Sequence, residues 1–297
     1  FKEAECEGLV AVGGGSSIDV GKAIGAMARN PGVIADYAVG GKPLAEQKAP
    51  LLAIPTTAGT GSEVTRFTII TDTKRDVKLL IGHPSLIPEV ALVDPSLTMT
   101  MPPSLTMATG IDALTHALEA YLSVKATPIS DLFALEAIGL ISDNLRPAWA
   151  NGNNAEAREK MMLGSLLAGL AFGNASVALV HGMARPIGAN FHVPHGLSNA
   201  VLLAECMQFT MIGAPERCAD IADAMGGAGL ELFGEHAVYG KHDLAAGGLG
   251  LCLDLAGGRG QIMLAQRLAD LHAACGEKRV RHAAADDENV DLLHEIA

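Results

Sequence analysis

At Met101-Pro102-Pro103 the apolar pattern of the chain changes its period. Before this point, short continuous apolar runs alternate with turns rich in Gly, Ser and Thr. After it, from Ser104 to about Met225, apolar residues recur at helical spacing almost throughout. Turn signals at Thr127-Pro128, Arg146-Pro147 and Asn151-Gly152-Asn153-Asn154 divide this second stretch into helices. The pattern predicts an α/β part followed by an all-α part, with domains at residues 1–101 and 102–297. The 297 residues suffice for two domains, and a composition 49% apolar and only 18% charged suits a large buried core.

In the first part, residues 8–12 (GLVAV) read as a buried strand. They run into Gly13-Gly14-Gly15-Ser16-Ser17 and then a helix carrying Ile18, Val20, Ala23, Ile24 and Met27. A strand, glycine turn and helix in this order let backbone N–H groups approach a phosphate at the positive helix end. The sequence is neither GxGxxG nor a Walker loop, and a tight turn explains it as well. Residues 51–54 (LLAI) form a second buried strand leading into PTTAGTGSEVT. Residues 64–72 and 77–81 read as a strand pair joined by a polar turn at Thr73, Lys74 and Arg75. Residues 90–93 (VALV) end in Asp94-Pro95.

The chemistry-bearing residues lie in the helical part. Asp112 and His116 are four apart in GIDALTHALEAY, so on a helix they share one face. His181, His192 and His195 fall within fifteen residues, HGMARPIGANFHVPH. His181 continues an apolar helical run, and His195 follows Pro194 at the start of another helix. Asp112, His116, His181 and His195 together can supply a carboxylate and three imidazoles to one divalent ion such as Fe, Zn, Ni or Mn. Each taken alone is equally well a helix cap or a core histidine. His192, between two of the proposed ligands, reads as a loop residue or a proton carrier.

The formal net charge of −12 disfavours nucleic acid as a partner, because phosphate binding needs clustered Lys and Arg. The five cysteines form no CxxC pair, which suits free thiols in a reducing compartment, and the expected location is cytoplasmic. No apolar run is long enough to span a bilayer, so no membrane partner is expected. The opening FKEAECEG lacks the apolar stretch of a signal peptide. A start on Phe1 suggests a fragment.

The motifs GGGSSIDVGKAIG, PTTAGTGSEVT, VALVDPSL, MPPSLTMATGIDALTHALEAY and HGMARPIGANFHVPHGLSNAVLL occur in this order from about residue 8 to residue 225. In these the chain resembles the iron-containing (group III) alcohol dehydrogenases, of the dehydroquinate synthase-like fold. The resemblance implies that Asp112, His116, His181 and His195 are metal ligands, for Fe2+ or for Zn2+ or another divalent ion. It implies that Gly14, Gly15 and Ser16 hold the diphosphate of NAD or NADP. Asp19 would face the nicotinamide side, Thr56, Thr57 and Thr60 would form a second cofactor loop, and Lys78 would lie near the ribose. Phe67 and Phe172 would line a pocket for a small alcohol or aldehyde. The implied reaction is hydride transfer between the alcohol carbon and the nicotinamide, with the metal as Lewis acid. A homodimer is compatible with the resemblance.

Three departures follow. Many relatives carry a second His four residues after the first in HGMAH, and here that position is Arg185. Arg cannot act as a general base. A catalytic role at Arg185 is then the binding of an anionic group, with a structural salt bridge as the alternative, and His192 is the candidate for proton transfer. Second, relatives have further strands before the glycine loop, so the sheet is expected to expose an edge here and to bind cofactor weakly. Third, the resemblance stops near Met225; residues 226–297 diverge, and His236, His242, His272, His282 and His294 there read as bystanders. The alternatives to a metal-dependent alcohol dehydrogenase are a metal-free reductase of the maleylacetate reductase type and an inactive metal-binding fragment.

Overall fold

The computed structural model describes residues 1–226 apart from Glu46, Gln47, Lys74, Asp76 and His192. His192 and the five histidines beyond residue 226 thus lie outside the described residues. All described residues fall within one compact unit, Phe1–Glu235.

The glycine loop stands where its sequence predicts. Strand β1 (Leu9–Gly13) ends on Gly13 at φ 144°, a backbone setting that side chains disfavour, and helix α1 (Gly15–Arg29) starts two residues later. β1 pairs in parallel with β2 (Leu51–Pro55), Leu9 opposite Leu51 and Gly13 opposite Pro55. β3 (Phe67–Asp72) and β4 (Val77–Gly82) form an antiparallel hairpin, and β5 (Val90–Ala91) adds to β2 in parallel. The sheet order β1-β2-β5 leaves β1 at an edge among the described residues. Gly21 lets α1 settle on this sheet: a Cβ there would meet that of Ala11 at 2.8 Å.

Two strand boundaries differ from the sequence expectation. Residues Ser62–Val64 form a 3₁₀ turn and β3 begins only at Phe67. The reason is tertiary. Lys22, fully buried on α1, donates to the carbonyls of Thr65 at 2.8 Å and Phe67 at 2.7 Å, and to Thr65 Oγ1 at 3.3 Å. Asp19, one turn earlier, accepts from Ser62 Oγ at 2.6 Å and Ile69 N at 2.9 Å. These bonds hold residues 62–69 against α1. Burial pushes the Lys22 ammonium down to about 8, while the charges of Asp19 and Glu63 oppose the shift. β5 covers only two of the four residues read as a strand.

From Pro103 the chain is helical: α2 (Pro103–Leu122), α3 (Pro128–Ala150), α4 (Ala155–Ala175), α5 (Leu179–Phe191), α6 (His195–Met211) and α7 (Pro215–Ala224). Helix α2 is the centre. It packs on α3, α4 and α6, and every residue from Gly110 to Tyr121 is buried. A helix apolar around most of its surface is stable only when enclosed in this way. Buried Arg158 of α4 anchors its start, donating to Met101 O at 3.0 Å and Thr106 Oγ1 at 2.7 Å. Among the described residues no single helix is long and apolar enough to cross a membrane.

The two parts meet through glycines. A Cβ on Gly59 would lie 2.5 Å from Thr109 Cβ on α2, and one on Gly61 would lie 2.6 Å from Gly169 Cα on α4. The loop after β2 therefore touches both helices at backbone distance.

Replacing Lys22 by Met leaves one buried and one partly buried carbonyl without this donor, and the expected loss is about 2–4 kcal/mol of stability. A lowered midpoint in chemical denaturation checks this; an unchanged midpoint contradicts it.

Candidate metal centre

Two neighbours on α2, Asp112 and His116, converge with the distant His181 inside the helical part. The Oδ1 of Asp112 lies 4.0 Å from His116 Nε2 and 3.5 Å from His181 Nε2. The ligand atoms of these three residues are mutually within 4.8 Å, and all three residues are buried. His195 Nε2 approaches Asp112 Oδ1 to 3.5 Å but stands at the rim, outside that mutual set, with a side chain 34% exposed. Ligands about 2.0–2.2 Å from one tetrahedral metal stand roughly 3.3–3.6 Å apart. The observed separations are close to that, and a carboxylate with imidazoles suits a first-row divalent ion.

Each side chain is placed by its helix. Asp112 and His116 are one turn apart on α2. His181 is near the start of α5, and His195 is the first residue of α6, after Pro194. Rings add rigidity: His116 stacks on Phe172 at 4.1 Å between centroids and on His181 at 4.4 Å.

Two residues missed in the sequence complete the centre. Glu119, fully enclosed one turn after His116, accepts from His181 Nδ1 at 2.6 Å and from the backbone N of Val180 at 2.5 Å. It fixes His181 Nδ1 as the protonated nitrogen, leaving Nε2 to face Asp112. That is the carboxylate–histidine arrangement found behind metal-binding imidazoles. Asn199, one turn after His195, donates from Nδ2 to Asp112 Oδ1 at 2.7 Å and lies 3.2 Å from His181 Nε2. The signal for both was present as spacing: Glu119 is three residues from His116, and Asn199 four from His195.

The electrostatics favour a cation. Burial by itself raises the Asp112 carboxyl, but the imidazoles of His116, His181 and His195 more than reverse this and hold it below the usual carboxylate range. His181 is pushed up to about 9, because its bonds to Asp112 and Glu119 outweigh burial. Burial drives His116 down to about 3 despite Asp112. The imidazole also senses the Gly59 backbone, although its Nδ1 makes no hydrogen bond of standard geometry. Burial also lowers His195, aided by the charges of His181, Lys78 and Arg185. The two carboxylates thus favour a positive charge at His181 while His116 and His195 are kept neutral, as ligands must be, and the residues fit a divalent metal.

The proposed cofactor residues lie in the α/β part, around the glycine turn. No side chain caps the start of α1, so its first N–H groups can receive an anion. A Cβ on Gly15 would meet Thr60 Cγ2 at 2.7 Å, and one on Gly14 would meet Thr57 Cγ2 at 3.4 Å. The Thr56 N–H donates to Gly13 O at 3.0 Å. Gly13, Gly14 and Gly15 therefore lie close against the loop of Thr56, Thr57 and Thr60, with Ser16 next in the chain. These residues fit a bound diphosphate. Lys78, on β4, lines a cavity of about 270 Å³ with Gly188, Val193, Pro194 and His195. Phe67 opens β3 against Gly82, with the Arg66 guanidinium 5.3 Å from its ring centre. Arg185 is half-buried one turn past His181, and among the described residues it forms no ion pair or hydrogen bond.

An α/β part carrying a strand, glycine turn and helix is thus followed by helices that enclose a carboxylate and histidines able to hold a metal. The family model for iron-containing alcohol dehydrogenase matches residues 1–95. The model for the C-terminal part of the Fe-containing alcohol dehydrogenase family matches residues 106–245. The second match extends past Met225, where the sequence motifs end. The 1,3-propanediol dehydrogenase of Citrobacter freundii is 48% identical over 226 residues, 76% of this chain and 58% of that protein. A crystal structure of 1,3-propanediol oxidoreductase matches with a TM-score of 0.76 at 43% identity, covering 86% of this chain and 65% of that one. The sulfoacetaldehyde reductase of Bifidobacterium kashiwanohense, solved with NAD+, matches with a TM-score of 0.75 at 35% identity, covering 86% of this chain and 64% of that one. The chain belongs to the iron-containing alcohol dehydrogenase family. It spans less than two thirds of the length of these relatives.

Glu119→Gln removes the charge that orients His181, and Zn2+ affinity should fall about 10- to 100-fold, read by competition with a chelating dye. An unchanged affinity contradicts the role given to Glu119. In Gly196→Ala the new Cβ would stand 2.0 Å from Ala108 O, so α6 must move and carry His195 with it. Zn2+ affinity should fall there too, whereas Gly182→Ala, with nothing within 4 Å of its Cβ, should retain it.

Proposed function

We propose that the chain carries the reaction centre of a metal- and nicotinamide-dependent alcohol dehydrogenase that interconverts a small alcohol and its aldehyde or ketone. The observation that carries this reading is the buried cluster of Asp112, His116 and His181, with Glu119 behind it, next to the loop that faces the glycine turn. Residues 1–101 hold NAD or NADP, and residues from 102 onward hold Fe2+, Zn2+ or a similar ion.

When bound, the metal supplies Lewis acidity to the alcohol oxygen and the nicotinamide accepts or returns hydride. The chain's own residues bind and orient. Asp112, His116, His181 and His195 hold the ion, His195 from the open side. Glu119 and Asn199 keep His181 and Asp112 in place. Gly14, Gly15, Ser16 and the N–H groups of α1 receive the diphosphate, and Thr56, Thr57 and Thr60 close over it. Asp19, tied to Ser62 and Ile69, holds the second loop against α1 on the nicotinamide side. Lys78 serves the ribose. Phe172 and Phe67 wall the substrate pocket, and Phe172 keeps water from His116 by covering its ring. Proton transfer falls to His192, since Arg185 stays charged. The free thiols of Cys6, Cys206 and Cys218 suit a reducing compartment such as the cytoplasm.

Short alcohols and 1,3-propanediol, each with NAD+ and with NADP+, test the reading on the full chain, with metal content measured in parallel. Expected is turnover lost on chelation and restored by Fe2+ or Zn2+, with Asp112→Ala losing both metal and at least 100-fold in rate. Turnover that survives chelation and dialysis would favour the metal-free reductase, and bound metal without turnover an inactive metal-binding fragment.

A further inference from the structure

Arg185 is the charged group near the centre for which the proposed reaction has no use. Helix α5 places it one turn after the ligand His181 and three residues before Gly188. Positions separated by four and by three residues lie on one helix face. That face therefore runs from the metal cluster, past the Arg185 position, to Gly188 in the wall of the 270 Å³ cavity. His195 and Lys78 line the same cavity, and the charge of Arg185 reaches both His195 and Glu119.

A half-buried guanidinium is costly unless an anion or good acceptors meet it. Nothing among the described residues does so. Glu119, the nearest carboxylate in effect, already receives His181 Nδ1 and two backbone N–H groups, and it forms no ion pair with Arg185. The charges around the cluster point the same way. Two buried carboxylates, Asp112 and Glu119, balance one divalent ion. The positive charges of Arg185 and Lys78 then stand without an ion-pair partner among the described residues. Lys78 is exposed and water can solvate it, whereas Arg185 is partly withdrawn from water.

Resting on the dehydrogenase reading above, we propose that Arg185 binds an anionic group carried by the substrate. The substrate class is then a short alcohol or aldehyde bearing a carboxylate, sulfonate or phosphate at the end away from the reacting carbon. A planar guanidinium matches such oxyanions with two parallel hydrogen bonds. The neighbouring cavity, lined by His195, Lys78 and Gly188, has the volume of a molecule of a few carbons.

Matched pairs of substrates test this on the metal-loaded full chain: 4-hydroxybutanoate against 1-butanol, and 2-hydroxyethanesulfonate against ethanol. The wild-type chain should prefer the anionic member of at least one pair in kcat/KM. In Arg185→Gln the ratio of anionic to neutral kcat/KM should fall roughly 10- to 100-fold, the scale of a lost charged hydrogen-bond pair. Arg185→Lys should lie between. The ratio is internal to each variant, so partial unfolding does not imitate the effect. A wild-type preference for the neutral members, or an unchanged ratio in Arg185→Gln, overturns the proposal. So does an effect of the substitution confined to NADP+ affinity, which would make the cofactor phosphate the anion. If no alcohol turns over, the dehydrogenase reading fails by itself, and calorimetric titration with butanoate against butanamide still decides the role of Arg185. Butanoate bound more tightly by the wild-type chain, but not by Arg185→Gln, supports anion binding; equal affinities contradict it.

Discussion

A carboxylate buried among imidazoles is the constraint to which the helical part is fitted. Asp112 sits in the middle of α2 with almost no access to water, and an isolated buried carboxylate is strongly unfavourable. Here it is met by His116 from its own helix, by His181 from α5, by His195 from α6 and by the Asn199 amide. Those contacts hold α5 and α6 against α2. Gly196 shows the tightness, since α6 comes so near Ala108 that no side chain fits between them. Glu119 gives the arrangement direction by turning the His181 ring so that Nε2 looks inward.

Helices α2 and α4 link the centre to the residues proposed to hold the cofactor. Gly59 lies against Thr109 on α2, and Gly61 against Gly169 on α4. The loop that faces the glycine turn of α1 is therefore anchored, a few residues on, beside His116 and its stacked Phe172. A transfer between a metal-held substrate and a nicotinamide needs the two to be close and correctly oriented. Backbone contacts at glycine serve this better than long side chains, because they leave little room for movement.

Much of the centre was legible in the sequence because helical spacing is a local property. Asp112 and His116 share a face whatever the rest of the chain does. Glu119 belongs to the same motif, yet its role depends on His181, 62 positions away, and no local pattern announces that pairing. The family resemblance implied that the second glycine-rich loop is a cofactor loop, but Gly59 and Gly61 owe their lack of side chains to the helices pressed against them. The start of β3 was misplaced for a related reason. Lys22 draws Thr65 and Phe67 onto α1, and a propensity reading of residues 64–66 has no access to that lysine. The same limit applies to Arg185: the substitution was visible in the motif, whereas its lack of an ion-pair partner required the packed helices.

The central claim is that one ion is held by Asp112, His116, His181 and His195. Anomalous diffraction from crystals of the Zn2+-loaded chain measures this directly. The account predicts a single strong peak about 2.0–2.2 Å from Asp112 Oδ1 and from the Nε2 atoms of all three histidines, with Glu119 bonded to His181 Nδ1 rather than to the metal. A peak bound by Glu119, a peak elsewhere, or no peak after loading would contradict it.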